Sequence, residues 1–447
     1  MTSVTPYSIA VPDEKLQQLR QKLEHTTFPD ELDASGWDMG VPLHEIKRLI
    51  AVWREQFDWR AQELKLNEQF NQVNVRIGVD GFGELNIHAV HHRSQNSRAI
   101  PLLFIHGWPG SFLEATKLIP LLTKNNKDGP VFDVVAPSLP NFGFSQGIKK
   151  RGFGLAQYAE VLHKVMIALG YEEYGKHYLS PAKRRPTNSR TVIQGGDWGS
   201  MIARTMSQCY PQYTQAIHLN FIPVLPPYPW RSPYQFLKSL LSVPFSAKDR
   251  GYIARTLGYF TGGNAYMKQQ ETRPQTLGYG LHDSPVGLLA WIYDKMHTWS
   301  DKYPWTDEEI LTWVSVYYFS TAGPMASARI YYEASAPKRG GSEVVSEDRA
   351  QEDLLEKTDL NYMTLEQVLG ARAPQSVCFA VAQFREEIIM WPMPWYRSIG
   401  NVVQETEYDC GGHFAAWEVP ELLASDIKRF LGKNGPAYGA VADRDGY

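Results

Sequence analysis

Cysteine is scarce in this chain, which has only three cysteines among its 447 residues: Cys209, Cys378 and Cys410. So few cysteines, so widely spaced, exclude a disulfide framework and a cysteine-based zinc site. Long apolar runs are also missing, since no stretch of about 18 apolar residues occurs. The residues Met1 to Pro6 carry neither the basic nor the apolar region of a secretion signal. We therefore expect a soluble, cytoplasmic protein without a membrane anchor.

Clusters of basic residues are nearly missing too. The formal net charge is −3, and basic residues form only short runs such as Lys183-Arg184-Arg185, so we expect no nucleic-acid partner. With 43% hydrophobic and 21% charged residues, the composition is that of a globular protein. Aromatic residues make up 13% of the chain, including 13 tryptophans. They favour either a large aromatic core or an apolar substrate pocket.

The order of predicted elements indicates an α/β protein. Apolar residues at helical spacing occupy Glu14 to Leu23 and Leu43 to Phe70, and no strand pattern appears before Val73. Strand patterns follow at 73–77, 85–90, 101–105, 132–137 and 191–194. The last three are each followed by a helix-capable segment, which predicts a mostly parallel central sheet.

A helix-rich segment interrupts this alternation. Residues 223–369 are rich in Tyr, Trp and Pro and contain helix-length patterns at Ser284 to Ser300 and Asp307 to Tyr318, with a long loop at Ala334 to Asp353. A strand pattern at Val377 to Ala382 and a helix pattern at Pro420 to Leu431 resume the core. We predict an N-terminal unit at 1–95, a core in two parts at 96–222 and 370–447, and an inserted helical lid at 223–369.

The strongest catalytic motif is Gly195-Gly196-Asp197-Trp198-Gly199, which stands between a predicted strand and the amphipathic segment Met201 to Cys209. Strand, sharp turn and helix is the context of a nucleophile elbow, whose small residues permit a strained backbone. The central residue is Asp197 rather than serine. A carboxylate can displace a leaving group at saturated carbon and form an ester, which points to epoxides or alkyl halides. An ordinary turn is the alternative.

A second segment, Gly143-Phe144-Ser145-Gln146-Gly147, also matches the elbow pattern. It follows the loop Pro137 to Asn141 rather than a strand. We therefore do not expect Ser145 to be a nucleophile.

The segment His106-Gly107-Trp108-Pro109-Gly110, called the oxyanion loop below, directly follows a predicted buried strand. In this context, a backbone N–H from the loop and the N–H after the nucleophile form an oxyanion hole. The predicted donors are Trp108 and Trp198. A plain glycine-rich turn is the alternative.

The general base is predicted at His413, in the loop Gly411-Gly412-His413-Phe414 after the last strand patterns. The orienting acid should follow the strand at Val377 to Ala382, where Glu386 and Glu387 are the two candidates. We prefer Glu387, and Glu386 is the second choice. The resulting order of nucleophile, acid and histidine agrees with that of an α/β-hydrolase triad.

Taken together, these motifs resemble the microsomal-type epoxide hydrolases, which include soluble fungal and bacterial members and the juvenile hormone epoxide hydrolases. The matches are the oxyanion loop continued by Ser111-Phe112, the elbow around Asp197, and Gly411-Gly412-His413-Phe414-Ala415-Ala416. The lid segments Thr272 to Tyr279 and Asp283 to Trp291 are similar as well. The resemblance implies an α/β-hydrolase fold with an N-terminal meander.

The resemblance also implies a mechanism. Two lid tyrosines, placed at Tyr266 and Tyr331, would donate hydrogen bonds to the oxygen of a small apolar epoxide while Asp197 opens the ring. His413 would then activate water to release a vicinal diol. No metal or organic cofactor is implied, a homodimer is the family default, and the implied role is detoxification or aromatic hydrocarbon catabolism, with biosynthesis left open.

This chain departs from the family pattern at three places. Lys176 to Arg190 looks like an insertion, the loop at Ala334 to Asp353 is long, and Arg385 replaces the usual proline beside the acid. Three other functions are considered: a haloalkane dehalogenase, a cyclase that opens an epoxide with an internal hydroxyl, and a catalytically silent binding protein. Halide release would identify the dehalogenase, a cyclic ether product would identify the cyclase, and a lack of turnover would identify the binding protein.

Overall fold

The protein is represented by a computed structural model that describes residues 2–124, 129–171, 191–230, 233–335 and 363–447. Within these ranges, nine strands form one sheet in the order β1-β2-β3-β5-β4-β6-β7-β8-β9. Their bounds are Ser3–Tyr7 (β1), Gln72–Val79 (β2), Gly83–His92 (β3), Ile100–Ile105 (β4), Phe132–Pro137 (β5), Thr191–Gly195 (β6), Thr214–Leu219 (β7), Cys378–Gln383 (β8) and Asn401–Glu407 (β9).

The sheet has an antiparallel part and a parallel part. Strands β1, β2 and β3 form a meander, and β3 pairs antiparallel with β5. From β5 to β9, all neighbouring strands are parallel. The prediction of a mostly parallel sheet is confirmed, as is the strand pair at 73–77 and 85–90, which forms β2 and β3.

The expectation that no strand precedes Val73 is wrong, because β1 occupies Ser3–Tyr7. This strand lies at the edge of the sheet, contains Pro6 and is largely exposed. An edge strand that buries neither face needs no apolar alternation, so local sequence gives no signal. Strands β7 and β9 were also not predicted, since their polar residues hide the strand pattern.

Helices cover both faces of the sheet and build the insertion between β7 and β8. The N-terminal helices are Asp13–Glu24 (α1), Leu43–Glu55 (α2) and Trp59–Gln69 (α3), and the first part of the core adds Ile119–Thr123 (α4), Leu155–Ala168 (α5) and Asp197–Cys209 (α6). The insertion contains Pro233–Ser242 (α7), Ala247–Gly258 (α8), Ala265–Thr272 (α9), Pro274–Asp283 (α10), Pro285–Thr298 (α11), Asp307–Tyr318 (α12), Arg329–Ala334 (α13) and Leu365–Gly370 (α14). The chain ends with Ala415–Glu418 (α15) and Pro420–Leu431 (α16).

The helix predictions agree with these bounds, except that the helical pattern over Leu43 to Phe70 forms two helices. The break occurs at Asp58, whose side chain accepts a hydrogen bond from the Arg60 N–H at 2.8 Å and so caps α3. The insertion at Lys176 to Arg190 lies outside the described residues. So does the loop at Ala334 to Asp353, apart from its first two residues.

The N-terminal helices pack against the insertion. Arg48 of α2 pairs with Asp307 at the start of α12, and the rings of Trp53 and Trp59 pack on Tyr318 and Phe319. These contacts hold the lid over the edge of the sheet where the parallel strands end. No helix in the described part of the chain combines the length and apolarity needed to cross a membrane.

Candidate active site

Four parallel strands deliver the predicted site residues to one edge of the sheet. The oxyanion loop follows β4, Asp197 follows β6, Glu387 follows β8, and His413 follows β9. Because the carboxyl ends of parallel strands meet at one edge, residues distant in sequence become neighbours there. The structure brings Trp108, Asp197, His413 and Glu387 into one connected cluster.

Asp197 occupies a strained turn between β6 and α6. Its backbone has a φ of 45°, which is rare for a residue with a side chain. Close packing of β4 against α6 surrounds the turn: a Cβ on Gly199 would lie 2.0 Å from the carbonyl oxygen of Ile105. Only glycine fits there. The sharp turn directs the Asp197 carboxylate away from the sheet, towards the lid.

The oxyanion loop contacts the Asp197 carboxylate directly. The backbone N–H of Trp108 donates to Asp197 Oδ1 at 2.7 Å. Trp198 is the second residue of α6, and the first N–H groups of a helix have no partner within the helix. Both N–H groups therefore belong to backbone segments that flank the carboxylate.

His413 lies between two carboxylates. Its Nε2 is 3.5 Å from Asp197 Oδ2, and its Nδ1 is 2.6 Å from Glu387 Oε1. Burial lowers the pKa of His413, but the negative charges of Glu387 and Asp197 outweigh burial and hold the pKa well above its ordinary value. The ring of Trp299 in the lid packs on the imidazole ring at 5.1 Å. The backbone carbonyl of Trp299 accepts a hydrogen bond from the backbone N–H of His413 at 2.9 Å.

The two acid candidates have different surroundings. Glu387 is buried, with 2% of its surface exposed, and the Ile388 N–H donates to its Oε1 at 2.7 Å. Glu386 instead forms an ion pair with Arg255 of α8. Arg385, which stands where the family has proline, is largely exposed. The structure brings Glu387, and not Glu386, to the histidine.

The lid tyrosines lie over the nucleophile elbow. The ring of Tyr331 meets the Trp198 ring edge-on at 4.8 Å, and the ring of Tyr266 stacks on Trp108 at 5.2 Å. Both tyrosines are buried, and burial, followed for Tyr331 by the charge of Asp197, holds the pKa of each phenol well above its ordinary value. Neutral phenols in this position can donate hydrogen bonds.

Three residues at the site were not predicted. The hydroxyl of Tyr259 lies 2.8 Å from that of Tyr266, Trp299 packs on His413, and Glu114 lines the space beside Asp197 and His413. Tyr259 and Trp299 have no distinguishing sequence signal among so many aromatic residues. Glu114 could have been found, since it follows the oxyanion loop by four residues.

Ser145 lies elsewhere and is fully buried. Its Oγ donates to the Ser138 carbonyl at 2.6 Å and accepts the His88 N–H at 2.9 Å, so it stabilises a loop. In the ranges that the structure describes, no group of three or more His, Cys, Asp or Glu side chains is arranged to hold a metal ion.

Comparison with known proteins gives consistent results. The family description "Epoxide hydrolase N terminus" matches residues 4–115, and "alpha/beta hydrolase fold" matches residues 100–175. The chain is 31% identical to epoxide hydrolase 1 of Sus scrofa, covering 96% of this chain and 89% of that protein. It is 32% identical to juvenile hormone epoxide hydrolase 2 of Ctenocephalides felis, covering 96% and 86%. The structure of Aspergillus niger epoxide hydrolase superposes with a TM-score of 0.74 at 29% identity, covering 96% of each chain.

Proposed function

The chain belongs to the epoxide hydrolase family, whose fold it shares, and we propose that it converts an apolar epoxide and water into a vicinal diol through a covalent ester on Asp197. The observation that carries this proposal is the connected cluster of Asp197, His413 and Glu387, with distances of 3.5 Å and 2.6 Å between the histidine and its two carboxylates. Such a cluster pairs a nucleophile with a base and an orienting acid.

In the first step, the Asp197 carboxylate attacks one carbon of the epoxide ring. The C–O bond of the ring breaks, and the oxygen takes a proton from the pair of phenols, Tyr266 and Tyr331. Their position above the elbow and their high pKa values support this role. A phenol that stays neutral at neutral pH can donate to the developing alkoxide.

In the second step, water attacks the ester carbon of Asp197 with His413 as general base. Glu387 holds the imidazole through Nδ1 and stabilises its charged form. The backbone N–H groups of Trp108 and Trp198 hold the oxyanion. The hydrogen bond from Trp108 to Asp197 Oδ1 supports this assignment, because that oxygen becomes the oxyanion when water adds.

The relatives that match over 96% of this chain are named epoxide hydrolases. Their names support epoxide hydrolysis and support neither the dehalogenase nor the cyclase.

We infer a small apolar substrate from the aromatic walls above Asp197. Tyr266 and Trp299 pack at 5.2 Å, and Trp291 packs on Trp108 at 6.5 Å. Such walls suit an apolar ligand held by few polar groups.

The domain bounds, the cytoplasmic location and the homodimer remain proposals. For the homodimer, support comes from a set of exposed apolar side chains on the lid, called the lid patch: Trp230, Tyr234, Leu237, Leu240, Leu241 and Phe245. Exposed apolar side chains that lie close together often mark an interface, and these six occur within 16 residues of the chain, 230–245.

Single-turnover hydrolysis in water enriched in oxygen-18 tests the ester mechanism. With enzyme in excess over a styrene-type epoxide, the new oxygen of the diol should come from Asp197 and be unlabelled. The heavy oxygen should then appear in the peptide that contains Asp197. A diol labelled in the first turnover would mean that water attacks the epoxide directly, and the ester would have to be abandoned. Asp197→Ala, which has no nucleophile, is the control and should form no diol.

A further inference from the structure

A small cavity lies between the oxyanion loop and His413. Its lining consists of Gly107, Trp108, Gly110, Glu114, Gly196, Asp197, His413 and Phe414. The space open to the centre of a water molecule is about 10 Å³, which is room for about one water. A water can be held in such a space only if several polar groups face it, and the lining contains three ionisable side chains.

Glu114 is the one ionisable group of this lining to which the proposed function assigns no role. It belongs to a 3₁₀ turn, Phe112–Ala115, directly after the oxyanion loop. Its carboxyl group reaches back over Gly110: a Cβ at that position would lie 1.7 Å from Glu114 Oε1. Glycine at 110 therefore makes room for the carboxyl group.

The surroundings of Glu114 favour its neutral form. Burial raises the pKa of Glu114 to about 8, and the negative charge of Asp197 adds to the rise. The positive charge of His413 and backbone hydrogen bonds at Gly107 and Ser111 lower the pKa in part. Tyr317, whose hydroxyl donates to the Gly110 carbonyl at 2.6 Å, is a further titratable group that interacts with it. A neutral carboxyl group both donates and accepts hydrogen bonds.

A second buried carboxyl group near His413 offers a contrast. Glu418 accepts the N–H groups of Asp301 at 2.7 Å and Phe414 at 3.0 Å, which explains it as a structural brace. Glu418 lies outside the cavity lining, in the part of the chain that the structure describes. Glu114 also has backbone hydrogen bonds, at Gly107 and Ser111, but unlike Glu418 it lines the cavity together with the nucleophile and the base.

We propose that Glu114 is a positioning residue that holds the hydrolytic water in this cavity. The proposal rests on the ester mechanism above. One hydrogen of the water bonds to the carboxyl oxygen of Glu114, the other faces Nε2 of His413, and the oxygen lone pair faces Cγ of Asp197.

The chemistry balances with Glu114 unchanged. The water oxygen forms a bond to Cγ of Asp197 as one proton passes to Nε2 of His413. The ester C–O bond then breaks, and the departing diol oxygen takes that proton from His413. The second proton of the water leaves the Asp197 carboxyl group and returns to the tyrosine pair, which lost one proton when the ring opened. Glu114 fixes the geometry of the attack by water, and it neither gains nor loses a proton.

Rapid-quench mass measurements in a single turnover test this role, because they give the rates of ester formation and ester hydrolysis separately. Glu114→Met removes the hydrogen bond and keeps the side-chain length. Misplacement of a reacting group by about 1 Å costs about 100-fold, so we expect ester hydrolysis to slow by about 10-fold to 100-fold while ester formation stays within about 3-fold. Glu114→Gln keeps an acceptor oxygen and should restore most of the hydrolysis rate.

The control is Glu418→Met, which should lower the unfolding temperature without causing the ester to accumulate. The proposal is overturned if Glu114→Met slows both steps by the same factor, or slows neither. If no ester forms even in wild-type protein, the proposed function itself fails, which is a different result.

Wild type and Glu114→Gln provide a second test should Glu114→Met not fold. Ionised Glu114 would add a negative charge beside the oxyanion, so wild-type ester hydrolysis should slow as the pH rises through the pKa of Glu114. The amide cannot ionise, and Glu114→Gln should lack that loss. Identical alkaline profiles would overturn the proposal.

Discussion

His413 lies between two carboxylates, to which the proposed mechanism assigns different tasks. The carboxylate of Asp197 faces Nε2 at 3.5 Å, and that of Glu387 faces Nδ1 at 2.6 Å. In the proposed ester, Asp197 loses its negative charge, which is one of the charges that raise the pKa of His413. The pKa should therefore fall in the intermediate, and the imidazole becomes neutral when it must accept a proton.

Glu387→Gln should abolish most ester hydrolysis. The amide cannot stabilise the imidazolium, and loss of the third member of a triad lowers kcat by roughly 10,000-fold in the serine protease case. We expect a loss of about 1,000-fold or more, measured as kcat on an epoxide that wild type converts.

Glu386→Gln is the matched control, because it makes the same change at the neighbouring residue, which pairs with Arg255. It should retain kcat within about 5-fold, as expected for a partly exposed ion pair. Equal losses in both variants would contradict the assignment of Glu387.

Most of the site residues could be predicted from local sequence, and the others could not. Asp197 and His413 stand in short glycine-rich motifs that are recognisable in the sequence. The backbone at these places needs glycine, because a side chain would not fit. Tyr266 and Tyr331 depended on family resemblance, since 24 tyrosines offer no internal distinction. Tyr259 and Trp299 reach the site through contacts that form only when the lid folds over the sheet.

At the scale of elements, the elbow depends on the close approach of β4, β6 and the start of α6. Ile105 lies opposite Gly195 in the sheet, and the Ile105 carbonyl oxygen also lies close to Gly199. Two main chains can come this close only where no side chain intervenes.

Gly199→Ala should destabilise the protein strongly. Its methyl group would meet backbone atoms of Ile105 at 2.0 Å, and backbone cannot shift as a side-chain tip can. Overpacking costs typically 1–3 kcal/mol, so we expect the free energy of unfolding to fall by about 3 kcal/mol, measured by urea denaturation.

Gly251→Ala is the control for this substitution. Gly251 lies within α8, and nothing is within 4 Å of a Cβ added there. Alanine in a helix is favoured over glycine by about 1 kcal/mol, so the variant should be slightly more stable than wild type. A Gly199→Ala protein as stable as wild type would contradict the tight packing of the elbow.

Periodicity predicted the buried strands and the long helices, and it missed elements whose stability comes from their neighbours. Strand β1 is held by pairing with β2 and buries almost nothing. In β7, the buried His218 pairs with Asp426 of α16 at 2.9 Å, a contact between residues about half the chain apart. No local pattern can show such pairing, because the partner that makes a polar residue acceptable in the core is distant in sequence.

For the whole molecule, the lid has a buried side and an exposed apolar side. Its buried side supplies Tyr266, Tyr331 and Trp299 to the site, and its outer side carries the lid patch, where Phe245 is 85% exposed and Leu241 is 67% exposed. Removing apolar side chains of this size from water is energetically favourable. We propose that a second copy of the chain packs on this patch.

Leu240→Glu and Leu241→Glu together should convert a dimer to a monomer, because association would bury two unpaired charges. Sedimentation equilibrium measures the mass directly. Leu64→Glu is the control, since Leu64 of α3 is similarly exposed at 57% but lies outside the lid patch. If the double variant remains dimeric, the interface lies elsewhere. A monomeric wild type would remove the dimer proposal altogether.

The covalent ester on Asp197 is the central claim, and the His413→Gln variant tests it most directly. This variant keeps the nucleophile and the tyrosines but lacks the base, so the cycle should stop after ring opening. The variant is incubated with a panel of aryl and alkyl epoxides, and the mass of the intact protein is measured. The account predicts a mass gain equal to one substrate, located on the peptide that contains Asp197. If His413→Gln stays unmodified while wild type converts the same epoxides, no ester lies on the reaction path and the account is wrong.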